Sequence, residues 1–259
     1  MSAGGCPKCG FPGPVSAECP RCGVLVDRYR ERREALEAGT LASPSSREAL
    51  AARARSNLPS RVWRRLNAED GEIDPIFFGG RLLVFTVFTL WGLVFIVTPM
   101  ETNYVGSSFW HLVNLVFHEA GHLVFAPFGS FMKVLGGTLM QILVPVVCTG
   151  AFIWYRNPFA ASISLWWTAQ NFMDAAPYIN DARAQRLMLL GGVTGREVPG
   201  YHDWQNILGR LGWLEYDHAI AAAFYAFGIV GMLAGLAWGG WVLSRQFARL
   251  RALRASGPP

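Results

Sequence analysis

The sequence predicts an all-α polytopic membrane protein of about five to six membrane helices, one of them re-entrant or broken, behind a small N-terminal zinc-ribbon module. Composition is the first ground. Apolar residues make up 52% of the 259 and charged residues only 16%, against about 25% in ordinary soluble domains. The second is a series of apolar runs of membrane length from Leu82 onward. The third is cysteine placement, with Cys6, Cys9, Cys19 and Cys22 close to the N-terminus and only Cys148 elsewhere. A chain of this length suits one core with a small appended module. The boundaries fall at 1–26 for the ribbon, 27–75 for a charged helix and linker, and 76–259 for the membrane domain.

The ribbon comes first in the chain. Cys6-Pro-Lys-Cys9-Gly and Cys19-Pro-Arg-Cys22-Gly are matched knuckles. In each, two thiolates converge on one ion and the glycine permits the turn. Together they predict a four-thiolate structural zinc site. A disulfide pair would need an oxidising compartment, and the Cys-, Pro- and Gly-rich N-terminus carries no apolar core of a cleavable signal peptide. Cys148, in an apolar run, reads as a packed thiol. Next, Asp27–Ala38 is a charged, helix-favouring stretch read as a solvated helix. Residues 39–60 have linker composition, with some helical tendency at Arg47–Arg55. Arg61, Arg64 and Arg65, followed by the acidic Glu69–Asp74, form the approach to the membrane.

Five apolar segments follow. Leu82–Thr98, ended by Pro99, covers about 26 Å as a helix, close to a hydrocarbon core. Phe109–Phe128 is the second. Phe131–Tyr155 contains Gly136, Gly137 and Pro145, which suggest a bend or a broken helix. Pro158–Ile179 is the fourth. After the polar Asp181–Asp217, the fifth is Ala219–Leu243, where Gly231, Gly235 and Gly239 recur every fourth residue and predict a helix-packing face. The formal net charge of +5 comes from arginines concentrated at 21–65 and 245–254. Such flanking charge indicates positive-inside topology and attraction to anionic lipid, and no aromatic-plus-basic surface points to nucleic acid. Five complete spans would separate the termini, yet both ends carry arginine. One element is therefore expected to be re-entrant, or Leu187–Leu214 to hold a further membrane-dipping piece. The expected location is the plasma (inner) membrane as a multi-pass integral protein, N-terminus cytoplasmic, because thiolate zinc sites suit reducing cytosol.

The chemistry concentrates in the second segment, at His118-Glu119-Ala120-Gly121-His122. Residues four apart stand above one another on a helix. His118 and His122 can therefore share one tetrahedral metal ion, with Glu119 about 100° round the helix as the base toward a water. Ionisable groups at membrane depth cost about 2.5–3.5 kcal/mol on insertion scales and are functional by default. His111 and Asn114 extend the stripe, lying within about 80° of the pair. A catalytic zinc needs a third protein ligand and one open position. Asp174 is the preferred third ligand, because a carboxylate at that depth calls for a compensating charge. Asp181 and His202 are the alternatives. His202-Asp203 and Asp217-His218 are further polar pairs, able to orient a ligand or fold back onto the site. Asn171 could orient a water or hold substrate backbone.

His-Glu-Ala-Gly-His within an apolar helix, then two further spans with an aspartate near the end of the last, resembles the site-2 protease family of intramembrane zinc metalloproteases. The resemblance covers roughly Phe109–Asp181. It implies His118 and His122 as zinc ligands, Glu119 as general base and Asp174 as third ligand. Where that family shows an Asn-Pro stretch leading into Leu-Asp-Gly, this chain has Asn171-Phe-Met-Asp174-Ala175. The expected function is hydrolysis of peptide bonds in membrane proteins or peptides, with one catalytic and one structural Zn2+ and with the ribbon free to bind a cytosolic protein partner. The alternative is a non-catalytic membrane protein with a metal site and a partner-recruiting ribbon.

Overall fold

The computed structural model describes residues 5–12, 17–38, 62, 66–67 and 74–255. The linker at 39–60, the helical tendency at Arg47–Arg55, and Arg61, Arg64, Arg65 and 69–73 lie outside the described residues. The chain divides into two units, 1–61 and 62–259.

In the first unit the two knuckles close on themselves. The Gly10 amide donates to the Cys6 carbonyl at 3.0 Å and the Gly23 amide to the Cys19 carbonyl at 2.8 Å. Gly10 and Gly23 stand at φ of 70° and 65°, a conformation that costs a residue with a Cβ. Helix α1, Val26–Glu37, follows. Its Arg33–Glu37 pair is exposed, as expected of a solvated helix.

The second unit is a helical bundle. Helix α2, Pro75–Val97, begins earlier than the apolar run suggests, because Asp74 caps it. The Asp74 carboxylate accepts from the Ile76 amide at 2.6 Å and the Phe77 amide at 3.3 Å, and Pro75 fits a first turn whose amide needs no partner. Helix α3 is Phe109–Phe125, α4 is Ser130–Trp154 and α5 is Pro158–Asn180. After a two-strand hairpin, β1 Met188–Leu189 against β2 Val193–Thr194, comes the nine-residue α6, Asp203–Leu211. Helix α7, Asp217–Ala255, closes the fold.

Helix α5 is the interior of the bundle. Most of its residues are buried, polar ones included, and it packs against α2, α4, α6 and α7. The α7 glycines face it as the every-fourth-residue pattern predicts: a Cβ on Gly235 would stand 3.0 Å from the Ser162 carbonyl oxygen, and one on Gly231 3.1 Å from Ala169 Cβ. Small residues thus set the helix spacing.

Among the described residues, three helices are long and apolar enough to cross a membrane: Pro75–Val97, Ser130–Trp154 and Leu214–Leu253. The other two predicted spans are helical but differ in character. Helix α3 stops after 17 residues, and α5 carries polar groups that the surrounding helices bury. Helix α4 corrects the expected break. It runs without interruption through Gly136, Gly137 and Pro145, because the two glycines serve close approach to α3 instead of bending. The Leu187–Leu214 segment forms the hairpin and α6, and at about 14 Å that helix is too short to cross.

Candidate metal centre

Helix α3 presents His118 and His122 on one face, their ring centroids 4.9 Å apart. Each ring uses Nδ1 as a donor. His122 Nδ1 donates to the Lys133 carbonyl oxygen at 2.8 Å, and a carbonyl can only accept. His118 Nδ1 donates to Gln141 Oε1 at 3.1 Å. The Gln141 amide is itself oriented, since its Nε2 donates to Asp174 Oδ2 at 3.0 Å. With Nδ1 donating on both rings, Nε2 is the atom each ring would offer to a metal once it carries no proton.

Both Nε2 atoms face the same oxygen, Asp203 Oδ2, at 2.9 Å from His118 and 3.3 Å from His122. Three acceptors so close need a positive charge between them, either a proton on an Nε2 or a metal ion. The spacings are near the edge of a tetrahedron with metal–ligand bonds of about 2.0–2.1 Å, which is about 3.3 Å. His118, His122 and the carboxylates beside them could therefore hold a metal ion. Burial by itself would raise the Asp203 carboxyl, but its contacts with the two imidazoles outweigh burial and hold it below the ordinary carboxylate range.

Asp203 is delivered by α6. Trp204, Ile207 and Leu208 are buried in one apolar cluster with Ala175, Ile179 and Ala221, and Trp204 Nε1 donates to Thr138 Oγ1 at 3.2 Å. The Asp203 amide donates to the Tyr178 hydroxyl at 2.8 Å. Tertiary packing thus brings Asp203 of the Tyr-His-Asp-Trp tetrad onto the imidazoles, 85 residues along from His118. Glu119 completes the group: one ligand atom each from His118, Glu119 and His122 lie within 4.8 Å of one another. Its carboxylate has no hydrogen-bond partner among the described residues. It lines a cavity of about 910 Å³ between α3, α4, α5 and the 187–203 segment.

The preferred third ligand, Asp174, lines the same cavity, but its carboxylate oxygens meet other partners. It bonds to His111 and Asn114, about one to three helical turns along α3 from the imidazole pair. Its Oδ1 meets His111 Nδ1 at 3.0 Å, and its Oδ2 accepts from Asn114 Nδ2 at 2.9 Å as well as from Gln141. Asn114 also donates to Gln170 Oε1 and accepts from Trp167 Nε1. The charge that calls for compensation at Asp174 is met by this polar layer.

The alternatives, Asp181 and His202, pair with each other at 3.5 Å. His202 caps α6, accepting from the Gln205 amide. Asn171 donates to the Trp167 carbonyl of its own helix and is fully buried, away from the cavity lining. Asp217 binds Arg183 at 2.7 Å, and His218 meets Asn180. Gln141 is the residue that sequence reasoning missed. A glutamine in an apolar membrane-length helix was the available signal.

The Asp181 carboxylate pins the segment that carries Asp203, accepting from the Arg186 amide at 2.9 Å and the Leu187 amide at 2.8 Å. Burial pushes this carboxyl up, but His202 and the two amides prevail and hold it below its ordinary value. A carboxyl lowered by folding contributes stability that is present above the unfolded value, about 3.9, and is lost as pH falls through the folded one. Amide exchange at Arg186 and Leu187 is therefore expected to stay protected near neutrality and to open below about pH 4. Asp181→Asn should abolish that acid-dependent step.

In the first unit the four sulfurs form a second group, mutually within 4.8 Å. Cys6 and Cys22 are 3.7 Å apart and Cys9 and Cys19 3.8 Å. A disulfide needs about 2.0 Å, whereas a tetrahedron with metal–sulfur bonds of about 2.3 Å has an edge of about 3.8 Å. Burial opposes the Cys6 anion, but the Cys9 and Lys8 amides and the adjacent sulfurs bring its pKa down to about 6. The Val24 amide favours the Cys22 anion, yet burial and the three other sulfurs push it up to about 12. The first proton leaves easily and the last awaits a cation. Cys9→Ser is expected to remove one metal equivalent by elemental analysis and leave the His118–His122 site loaded.

Compared with protein-family models, curated proteins and solved structures, the chain gives no match.

Proposed function

We propose that this chain is an intramembrane zinc metalloprotease of the site-2 protease type, cutting peptide bonds in membrane proteins or peptides. The observation that carries the reading is the convergence of His118 Nε2, His122 Nε2 and Asp203 Oδ2, with each Nδ1 already committed to an acceptor. The proposal assigns the two imidazoles and Asp203 as ligands, with Asp203 replacing Asp174. The ribbon would hold a structural zinc through Cys6, Cys9, Cys19 and Cys22. Its thiolates suit a cytoplasmic N-terminus at the plasma (inner) membrane, where it could bind a cytosolic partner.

Zinc, when bound there, supplies the Lewis acidity that lowers the pKa of water and polarises a peptide carbonyl. Glu119, with no hydrogen-bond partner among the described residues, takes the proton from water and returns it to the leaving amine. The cavity admits a strand unwound from its helix, the form in which a carbonyl is accessible. Leu112 and Leu115 offer it an apolar wall.

The test is proteoliposomes containing the full chain and a transmembrane peptide. Cleavage should stop on chelation and return with zinc, and cleavage indifferent to chelation would overturn the proposal. One observation favours a second reading: Asp203 lies close enough to both imidazoles for a purely structural hydrogen-bonded trio in a non-catalytic protein. That reading requires no hydrolysis and no metal lost on His118→Ala.

A further inference from the structure

Asp174 is the ligand the resemblance implies, yet among the described residues its carboxylate reaches the imidazole pair through Gln141. Asp174 Oδ2 accepts from Gln141 Nε2 at 3.0 Å, which turns Gln141 Oε1 toward His118 Nδ1 at 3.1 Å. A primary amide presents an acceptor and a donor on opposite sides, so whatever fixes one side fixes the other. Asp174 is 4% and Gln141 6% exposed, so both contacts are largely shielded although the residues line the cavity. Pro145, one turn on, lacks the amide that would have engaged the Gln141 main-chain carbonyl. His111 and Asn114 hold Asp174 from its other sides.

We infer that Asp174 and Gln141 are positioning residues for the metal: Asp174 sets the direction of the Gln141 amide, and Gln141 keeps the proton of His118 on Nδ1, leaving Nε2 open to the ion. Asp174 itself does not ligate. With the Gln141 amide reversed, its NH2 group would face Nδ1, drive the proton to Nε2 and close the site. This inference rests on the metal reading above and adds to it an explanation of the polar layer at 111, 114, 141 and 174.

The test is Co2+ and Zn2+ titration of the purified full chain, with the membrane site separated from the ribbon by the thiolate charge-transfer bands that only the latter gives. Asp174→Asn lets the amide reverse, and Gln141→Met removes the acceptor. Each is expected to weaken the membrane site about 10–100-fold, the usual cost of losing a partner behind a metal-bound histidine. The double variant should be no weaker than either single one, because both act through the same contact.

Asp174→Asn combined with Gln141→Glu keeps an acceptor at His118 and a donor at position 174, and should recover most of the affinity. Histidine 15N shifts should report the His118 proton moving from Nδ1 to Nε2 in Asp174→Asn alone. Loss of binding in Asp174→Asn with full binding in Gln141→Met would make Asp174 a direct ligand and overturn the inference. Unchanged affinity in both would also overturn it. Failure of the metal reading looks different: wild type and His118→Ala would take up the same amount of metal.

Discussion

Glu119→Gln is expected to cut peptide hydrolysis by about 100–10,000-fold, the usual contribution of a general acid–base group, while metal content stays at two equivalents. The glutamine is close to isosteric and Glu119 has no hydrogen-bond partner among the described residues, so the fold should not register the change. His118→Ala and Asp203→Ala belong to a different class. Each removes one of the three converging acceptors, so metal and activity should disappear together while the ribbon keeps its ion. The informative contrast is between lost rate with metal retained and lost rate with metal lost. Elemental analysis beside a cleavage assay on the same preparations reads both. Should Glu119→Gln cleave like wild type, the proposed proton transfer would have to be abandoned.

Gly137→Ala is expected to damage the site as severely from the neighbouring helix. A Cβ there would stand 2.6 Å from His118 Nε2 and 2.7 Å from His122 Cε1, so both rings must move. Misplacing a reacting group by about 1 Å can cost on the order of 100-fold in rate, and metal affinity should fall alongside. The bundle itself should survive, because the obstruction is made of side-chain ring atoms. Gly121→Ala provides the comparison. Its Cβ would collide with the Gly136 carbonyl oxygen, a backbone atom that can yield only by parting α3 from α4. That change should lower thermal stability in detergent by about 1–3 kcal/mol, the range for overpacking. Normal metal affinity in Gly137→Ala would mean that the rings do not face α4 as described.

Sequence alone was enough for the elements whose signal is local. Apolar runs and their ends give α2, α4 and α7 within a turn or two, except where Asp74 and Pro75 start α2 early and where α7 runs on past its apolar stretch. The i, i+4 spacing puts His118 and His122 on one face with no knowledge of neighbours, and the paired knuckles bring four sulfurs together through their own turns. The glycine pattern on α7 likewise foretells close helix contact, because a missing side chain acts wherever that helix meets another.

The third acidic group needed the tertiary structure. Asp174 and Asp203 are both aspartates near apolar helices, and nothing local separates a carboxylate held by amides and an imidazole from one aimed at two imidazoles. The difference lies in which helix face each meets across the bundle. Asp174 bonds to His111 and Asn114, whereas α6, seated by Trp204, Ile207 and Leu208, carries Asp203 to both imidazoles. Gly136 and Gly137 were read as a bend for the same reason: the same residue type serves flexibility in one chain and close approach in another. A sequence shows what a residue can do, and only its packed neighbours decide which of those capacities is used.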